Sequence, residues 1–116
     1  MNKRFKLNAD ELRPLVTGYG ACIASDMITV EGFPVRFMYR EAPDSEVDGG
    51  WRFMSGLESE GYMNEPGNFA LYDVNTIANY DPSIIPLLDS PIGCAFEKAE
   101  GHDHFTSAED WGTPDE

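Results

Sequence analysis

The sequence predicts a single α+β domain: a mostly antiparallel sheet with two or three short helices. Three observations carry that prediction. Val35, Phe37 and Tyr39 alternate with Arg36, Met38 and Arg40, and Trp51-Arg52-Phe53-Met54 repeats the pattern after a polar stretch ending in Gly49-Gly50. Period-two alternation of this kind marks half-buried strands. The two helix starts, at Asn8 and Asp73, are each followed within ten residues by a proline, Pro14 and Pro82, so the helices are short. Finally, 116 residues with 41% apolar content and 14 aromatics supply one modest core and not two.

In chain order, Asn8-Ala9-Asp10-Glu11 has the form of a capping box, with Asn8 as cap and Glu11 three positions on. About two turns of helix are expected, with Leu7, Leu12 and Leu15 packed inward and Pro14 ending them. Gly18-Tyr19-Gly20 then breaks into the strand-like Ala21-Cys22-Ile23-Ala24. Ile28-Thr29-Val30 follows after Asp26, and Glu31-Gly32 marks a turn. Residues 35–40 and 51–54 form two antiparallel strands joined by a long acidic connection. Arg36, Arg40 and Arg52 are expected to share one face, which would hold carboxylates from that connection. Glu65-Pro66-Gly67-Asn68 has the form of a type II turn. Phe69-Ala70-Leu71-Tyr72 is a further strand, and Asp73 caps a helix through Val74, Ile77 and Ala78 that stops by Asp81-Pro82. Pro86 interrupts the apolar run 83–88, which favours a buried irregular turn. The last strand is Ile92-Gly93-Cys94-Ala95-Phe96, with Ile92, Cys94 and Phe96 on one side. Residues 1–17 read as an N-terminal extension, 18–98 as the domain, and 99–116 as an acidic tail expected to be mobile.

Charge narrows the partners. Eight Lys and Arg face 21 Asp and Glu, a formal net charge of -13. Residues 1–40 carry six basic and four acidic side chains, whereas residues 41–116 carry 17 acidic ones against Arg52 and Lys98 alone. Such a surface repels nucleic acid and anionic membranes, which are held by clustered Lys and Arg. It suits a basic protein, whose encounter a one-signed field accelerates. Polar Asn8, Asp10, Glu11 and Arg13 follow the basic start where a leader would be apolar, and the distant Cys22 and Cys94 form no CxxC pair. Free thiols and a cytoplasmic location are therefore expected.

Chemical motifs are weak. Asp44-Ser45-Glu46-Val47-Asp48-Gly49 opens like a calcium loop, but its twelfth position is Ser55 and Arg52 sits at the ninth. A solvated hairpin loop is the expectation. His102-Asp103-His104 offers two imidazoles without further ligands at suitable spacing. No GxSxG, GxGxxG or GxxxxGK[ST] occurs, and the pair Glu58 and Glu60 is unremarkable among 21 acidic residues. No catalytic residue, cofactor or metal is assigned. Tyr62 and Tyr80, beside turns and carboxylates, are the aromatic candidates for an exposed contact, and Trp51 is assigned to the core.

One resemblance adds to this. Ala21-Cys22-Ile23-Ala24, Phe37-Met38-Tyr39-Arg40-Glu41, Gly50-Trp51-Arg52-Phe53-Met54-Ser55-Gly56 and the run from Tyr72 to Pro82 are similar to a family of small bacterial proteins, the immunity-protein-33-like domain of polymorphic toxin systems. Ile84-Ile85-Pro86-Leu87-Leu88 and Ser90-Pro91-Ile92-Gly93 complete the likeness, which runs from Gly18 to Glu97. It implies an α+β domain without cofactor that neutralises a toxin by binding it, and it carries over no catalytic residue. The expectation is a non-catalytic, protein-binding domain whose partner is a basic toxin. Asp44, Glu46, Asp48, Glu58 and Glu60 would steer that partner and Tyr62 would anchor it. The competing reading is a housekeeping enzyme or metal-binding protein with an acidic pocket.

Overall fold

A computed structural model describes residues 5–99, 101 and 105–108. Its strands are β1 (Ala21–Ser25), β2 (Phe37–Arg40), β3 (Asp48–Met54), β4 (Phe69–Asp73), β5 (Ala95–Glu97) and β6 (Thr106–Ser107). The helices are α1 (Asp26–Thr29), α2 (Glu60–Met63) and α3 (Val74–Tyr80). Three 3-10 turns accompany them, at Ala9–Glu11, Pro66–Asn68 and Pro82–Leu87. The chain is one α+β domain, and its Cα radius of gyration of 13.5 Å fits a single globule of this size.

The sheet order is β4-β1-β3-β2-β5-β6. Four of the five described pairings are antiparallel, but β1 and β3 run parallel, so the sheet is mixed. The cause is connectivity: the chain leaves β1 through α1, forms the β2–β3 hairpin, and returns β3 to lie beside β1 in the same direction. A parallel neighbour demands such a crossover, which local alternation does not reveal.

Helices α1 and α3 and the 82–87 turn pack on one face of the sheet. Cys22, Ala24, Met38, Trp51 and Phe53 from the strands meet Ile28, Val74, Ile77, Ala78, Ile84 and Leu88 there, all fully buried. The register pairs Met38 with Phe53, Tyr39 with Arg52 and Arg40 with Trp51. Met38 and Arg40 therefore point toward the core side with Trp51, and Phe37, Tyr39 and Arg52 toward the other. This corrects two expectations: Phe37 and Tyr39 are not the core-facing set, and Arg40 and Arg52 lie on opposite faces. Arg40 reaches the core side because its Nε donates to Gly49 O at 2.9 Å and its guanidinium lies 5.8 Å over the Trp51 ring.

Local signals behaved unevenly. Asp73 caps α3, its carboxylate accepting from Asn75 N, and Asp81-Pro82 ends that helix. Glu11 reaches back to Asn8 N at 2.7 Å as a capping box should, yet only one 3-10 turn forms. At Pro14 the chain makes a tight turn, Leu15 N donating to Arg13 O at 2.9 Å, and Leu15 is exposed rather than packed inward. Ile28 and Thr29 sit on α1, whose N-cap is Ser25 accepting from Met27 N. Gly67 lacks the positive φ of a type II turn; Asn68 N donates to Glu65 O in a 3-10 turn instead. Pro86 lies within the six-residue 3-10 helix 82–87, whose hydrogen-bond pattern differs from that of an α-helix. Ile92 is exposed, because Gly93 with φ 99° turns the chain before β5 begins.

Within the presumed tail, β6 pairs with β5, Ala108 N donates to Ala95 O, and Phe105 lies under the Lys98 ammonium at 4.9 Å. The His102-Asp103-His104 cluster and Trp111 fall outside the described residues. Cys22 and Cys94 are free thiols. Burial, reinforced by Asp73, pushes the Cys22 thiol far up and leaves it unreactive.

Gly50 tests the tightness of the hairpin. Its φ is 88°, and a Cβ there would collide with Glu41 O of the opposing strand end. Gly50→Ala should therefore cost about 1–3 kcal/mol in urea unfolding, from backbone strain alone. Gly61→Ala, in α2 with open space around its Cβ, should be neutral or stabilising by up to about 1 kcal/mol.

Candidate functional site

The acidic connection between β2 and β3 is held from inside by Arg52. Because Arg52 lies on β3 between the core-facing Trp51 and Phe53, its guanidinium emerges on the sheet face away from α1 and α3, where the connection folds over it. Its side chain is only 2% exposed. Nε donates to Glu41 Oε2 at 2.6 Å, while the two terminal nitrogens donate to Asp48 Oδ1 at 3.0 Å and Oδ2 at 2.9 Å. This fork-on-fork pairing with Asp48 is the strongest geometry available to the two groups. A further hydrogen bond runs to Trp51 O, and Asp44 stands 3.9 Å away.

Asp48 is equally saturated. Besides Arg52 it accepts from Asp44 N at 2.8 Å and Gly50 N at 2.9 Å. The Arg52 hydrogen bond, foremost, holds its carboxyl far below the usual range despite burial. The expectation that an arginine of the hairpin would hold carboxylates from the connection is met by Arg52 with Glu41 and Asp48. The loop that opens like a calcium site thus directs its last carboxylate inward to a guanidinium.

The other steering candidates divide in the same way. Asp44 is 86% exposed at its side chain and Glu46 is exposed, both on the loop that Arg52 pins. Glu58 turns inward, its carboxylate accepting from Ser55 N and Oγ at 2.8 and 2.9 Å and from Gly56 N at 3.0 Å. Burial would raise the Glu58 carboxyl, but these donors and the Ser25 hydroxyl outweigh it and bring it below its ordinary value. Glu60 is exposed at the start of α2. Tyr62 is half-buried, its ring edge-on to Phe69 at 5.9 Å.

Two clusters therefore exist. Asp44, Glu46 and Asp48 sit at the start of β3, and Glu58, Glu60 and Tyr62 lie beyond its end. Six residue steps separate Asp48 from Met54, about 20 Å at the usual strand rise. Both clusters border the sheet face opposite α1 and α3: the first covers Arg52, and the second reaches Phe69, on the same side of β4 as the exposed Leu71. Tyr80 is not available as a surface anchor, since its hydroxyl accepts from Leu7 N and donates to Thr29 O.

A second buried ion pair lies across the fold. Lys98 Nζ donates to Asp81 Oδ2 and to Ser83 Oγ, both at 2.8 Å, and Asp81 Oδ2 also accepts from Val35 N. Sequence reasoning did not find this cluster, although Lys98 is one of only two cations after residue 40. Asn75 and Asn79 were also missed; their amides bind the main chain of residues 13–16. The signal was present as two asparagines at i,i+4 spacing on one helix.

Among the described residues no three His, Cys, Asp or Glu side chains gather as a metal site, and no helix is long and apolar enough to cross a membrane. No curated protein and no solved structure matches the chain. A family match does exist, and it spans residues 22–109, covering all three α-helices, five complete strands and nearly all of β1. The chain belongs to the family of the Immunity protein Imm33 domain.

Proposed function

We propose that this chain is a cytoplasmic, non-catalytic immunity protein that neutralises a basic toxin by occluding part of its surface. The observation that carries the reading is the pinned acidic loop. Arg52 holds the half-exposed Glu41 and the buried Asp48 while Asp44 and Glu46 remain outside, so negative charge is displayed on a pre-ordered backbone. Pre-ordering removes part of the entropy that binding otherwise costs. Pairs of toxin and immunity protein reach the tightest protein affinities known, which requires such economy of disorder.

Contact would be made along the sheet face bordered by the two acidic clusters. An interface of standard size buries about 800 Å2 on each partner, a patch roughly 30 Å across, so the span of about 20 Å fits within one interface. Asp44, Glu46 and Glu60 supply the steering field, and Tyr62 with Leu71 supplies apolar contact. Asp48 and Glu58 act by holding their segments in place.

Capture from the native host, followed by mass spectrometry, identifies the partner. The triple variant Asp44→Asn, Glu46→Gln, Glu60→Gln should then associate about tenfold more slowly at low salt, with a flattened salt dependence and nearly unchanged thermal stability. Association kinetics equal to those of the unaltered chain would remove this surface from the proposal.

A further inference from the structure

The two edges of the sheet are not alike. β6 closes one side with two residues, too few to offer a pairing template. β4 closes the other with five, and its pairing with β1 runs through all of them without a bulge. Val74 N donates to Gly20 O, so the pairs that exchange hydrogen bonds are Cys22 with Tyr72 and Ala24 with Ala70. Alternation along the antiparallel ladder therefore turns the N–H and C=O of Leu71 away from β1, onto the outer edge. Among the described residues no strand pairs there. The devices that keep an edge solitary are missing from Phe69-Ala70-Leu71-Tyr72, which holds no charge and no proline. Apolar side chains flank the edge on both faces instead. Leu71 is 69% exposed on the outer face, and Phe5, 42% exposed, stands edge-on to Tyr72 on the core side.

We propose that β4 is a self-association edge: two copies of this chain pair β4 with β4, antiparallel about a two-fold axis at Leu71, and join their sheets into one. The edge itself specifies a second copy. With the axis at Leu71, each Leu71 N–H meets the C=O of the other Leu71, so the strand supplies its own complement, as an isologous contact requires. Tyr72 then lies across from Ala70 of the second copy on the core side, a large side chain against a small one. The two Leu71 side chains meet on the outer face.

Charge sets how tightly the copies hold. The one ionised side chain on the strand is Asp73, and the axis places its two copies four residue steps apart, about 14 Å along the strands. That exceeds the screening length of roughly 8 Å at physiological salt, so no like charges meet across the paired edge. The net charge of -13 on each chain still repels at long range. A single strand pair also lies at the low end of interface size. The dimer is therefore weak, with a dissociation constant of about micromolar to millimolar, and it tightens as salt rises. Association with a basic partner weakens with salt, so the two events are separable, and the inference does not rest on the toxin reading.

Sedimentation equilibrium of the full chain, up to about 1 mM, reads the stoichiometry. A monomer–dimer equilibrium is expected, tightening at least about threefold between roughly 0.05 and 0.5 M sodium chloride. Leu71→Lys sets two ammonium groups face to face on the axis and should weaken the dimer at least about tenfold. Val47→Lys makes the same charge change at a 70% exposed side chain on the β2–β3 connection, and should not weaken it. The Leu71 amide should exchange at least about twofold more slowly at roughly 1 mM than at roughly 10 μM chain, while exposed amides elsewhere keep their rates. If Leu71→Lys is not folded by circular dichroism, that exchange measurement on the unaltered chain decides. A chain that stays monomeric at about 1 mM in high salt overturns the proposal. So does a dimer that loosens as salt rises, one indifferent to Leu71→Lys, or one that leaves the Leu71 amide unprotected.

Discussion

Arg52→Met should lower the unfolding free energy by about 3–5 kcal/mol, because it leaves the Asp48 carboxylate buried without its counter-charge. Asp48 is only 8% exposed at its side chain, and the two backbone amides that remain to it do not neutralise a charge. For a domain whose whole stability is on the order of 5–15 kcal/mol, this is among the largest single losses available. Arg52→Lys keeps the charge but not the planar fork, and should lose about 1–3 kcal/mol. Adding Asp48→Asn to Arg52→Met should recover part of the deficit, a coupling of about 0.5–3 kcal/mol in a double-mutant cycle read by urea unfolding. The loop 41–47 should become more susceptible to proteolysis at the same time. If the two substitutions simply add, the guanidinium is not what holds Asp48.

Lys98→Met should cost a similar amount at neutral pH, about 3–5 kcal/mol, and its effect should depend on pH. Burial works to raise the Asp81 carboxyl, but the bonds from Lys98 and Ser83 outweigh burial and hold it below its ordinary value. A carboxyl depressed in the folded state contributes stability above its unfolded pKa of about 3.9 and loses it as pH falls through the folded value. Removing Lys98 takes away the group that depresses it. The difference between the two proteins should therefore be full at pH 7 and shrink as pH falls, first as Asp81 takes up its proton in the variant, where burial now dominates, and vanish once it has done so in the unaltered chain as well. Unfolding curves measured from pH 7 to pH 3 check this; a constant difference throughout would show that Lys98 acts through packing on Phe105 instead.

How much of this was legible in the sequence follows from the range of each interaction. Asp73 as a cap and Pro82 as a stop depend on neighbours within a few residues, and the β2–β3 hairpin joins strands consecutive in the chain; those signals were sufficient. The facing of β2 was not legible. β2 and β3 lie inside the sheet, with strands on both sides, and β3 is buried on both faces; alternation there does not distinguish core from cover. The candidate site shows the same division. Composition revealed a surplus of carboxylates after residue 40, yet Asp44 and Asp48, four positions apart, differ completely in role. Asp48 meets Arg52 only because β3 begins at that residue and turns both side chains to one face. Glu58 likewise closes on Ser55 through a turn that no residue type announces.

The amino-acid order alone determined the fold class, the local caps and turns nearest to proline and aspartate, the lopsided charge and the resemblance to immunity proteins, since each rests on composition or on contacts a few positions apart. The tertiary structure decided the parallel pairing of β1 with β3, the burial of Arg52 and Lys98 with their partners, the separation of the acidic groups to the two ends of β3, and the seat of residues 7–16 on α3. Those depend on residues 4 to 73 positions apart in the chain, brought together by sheet register and by the requirement that a buried charge meet its opposite.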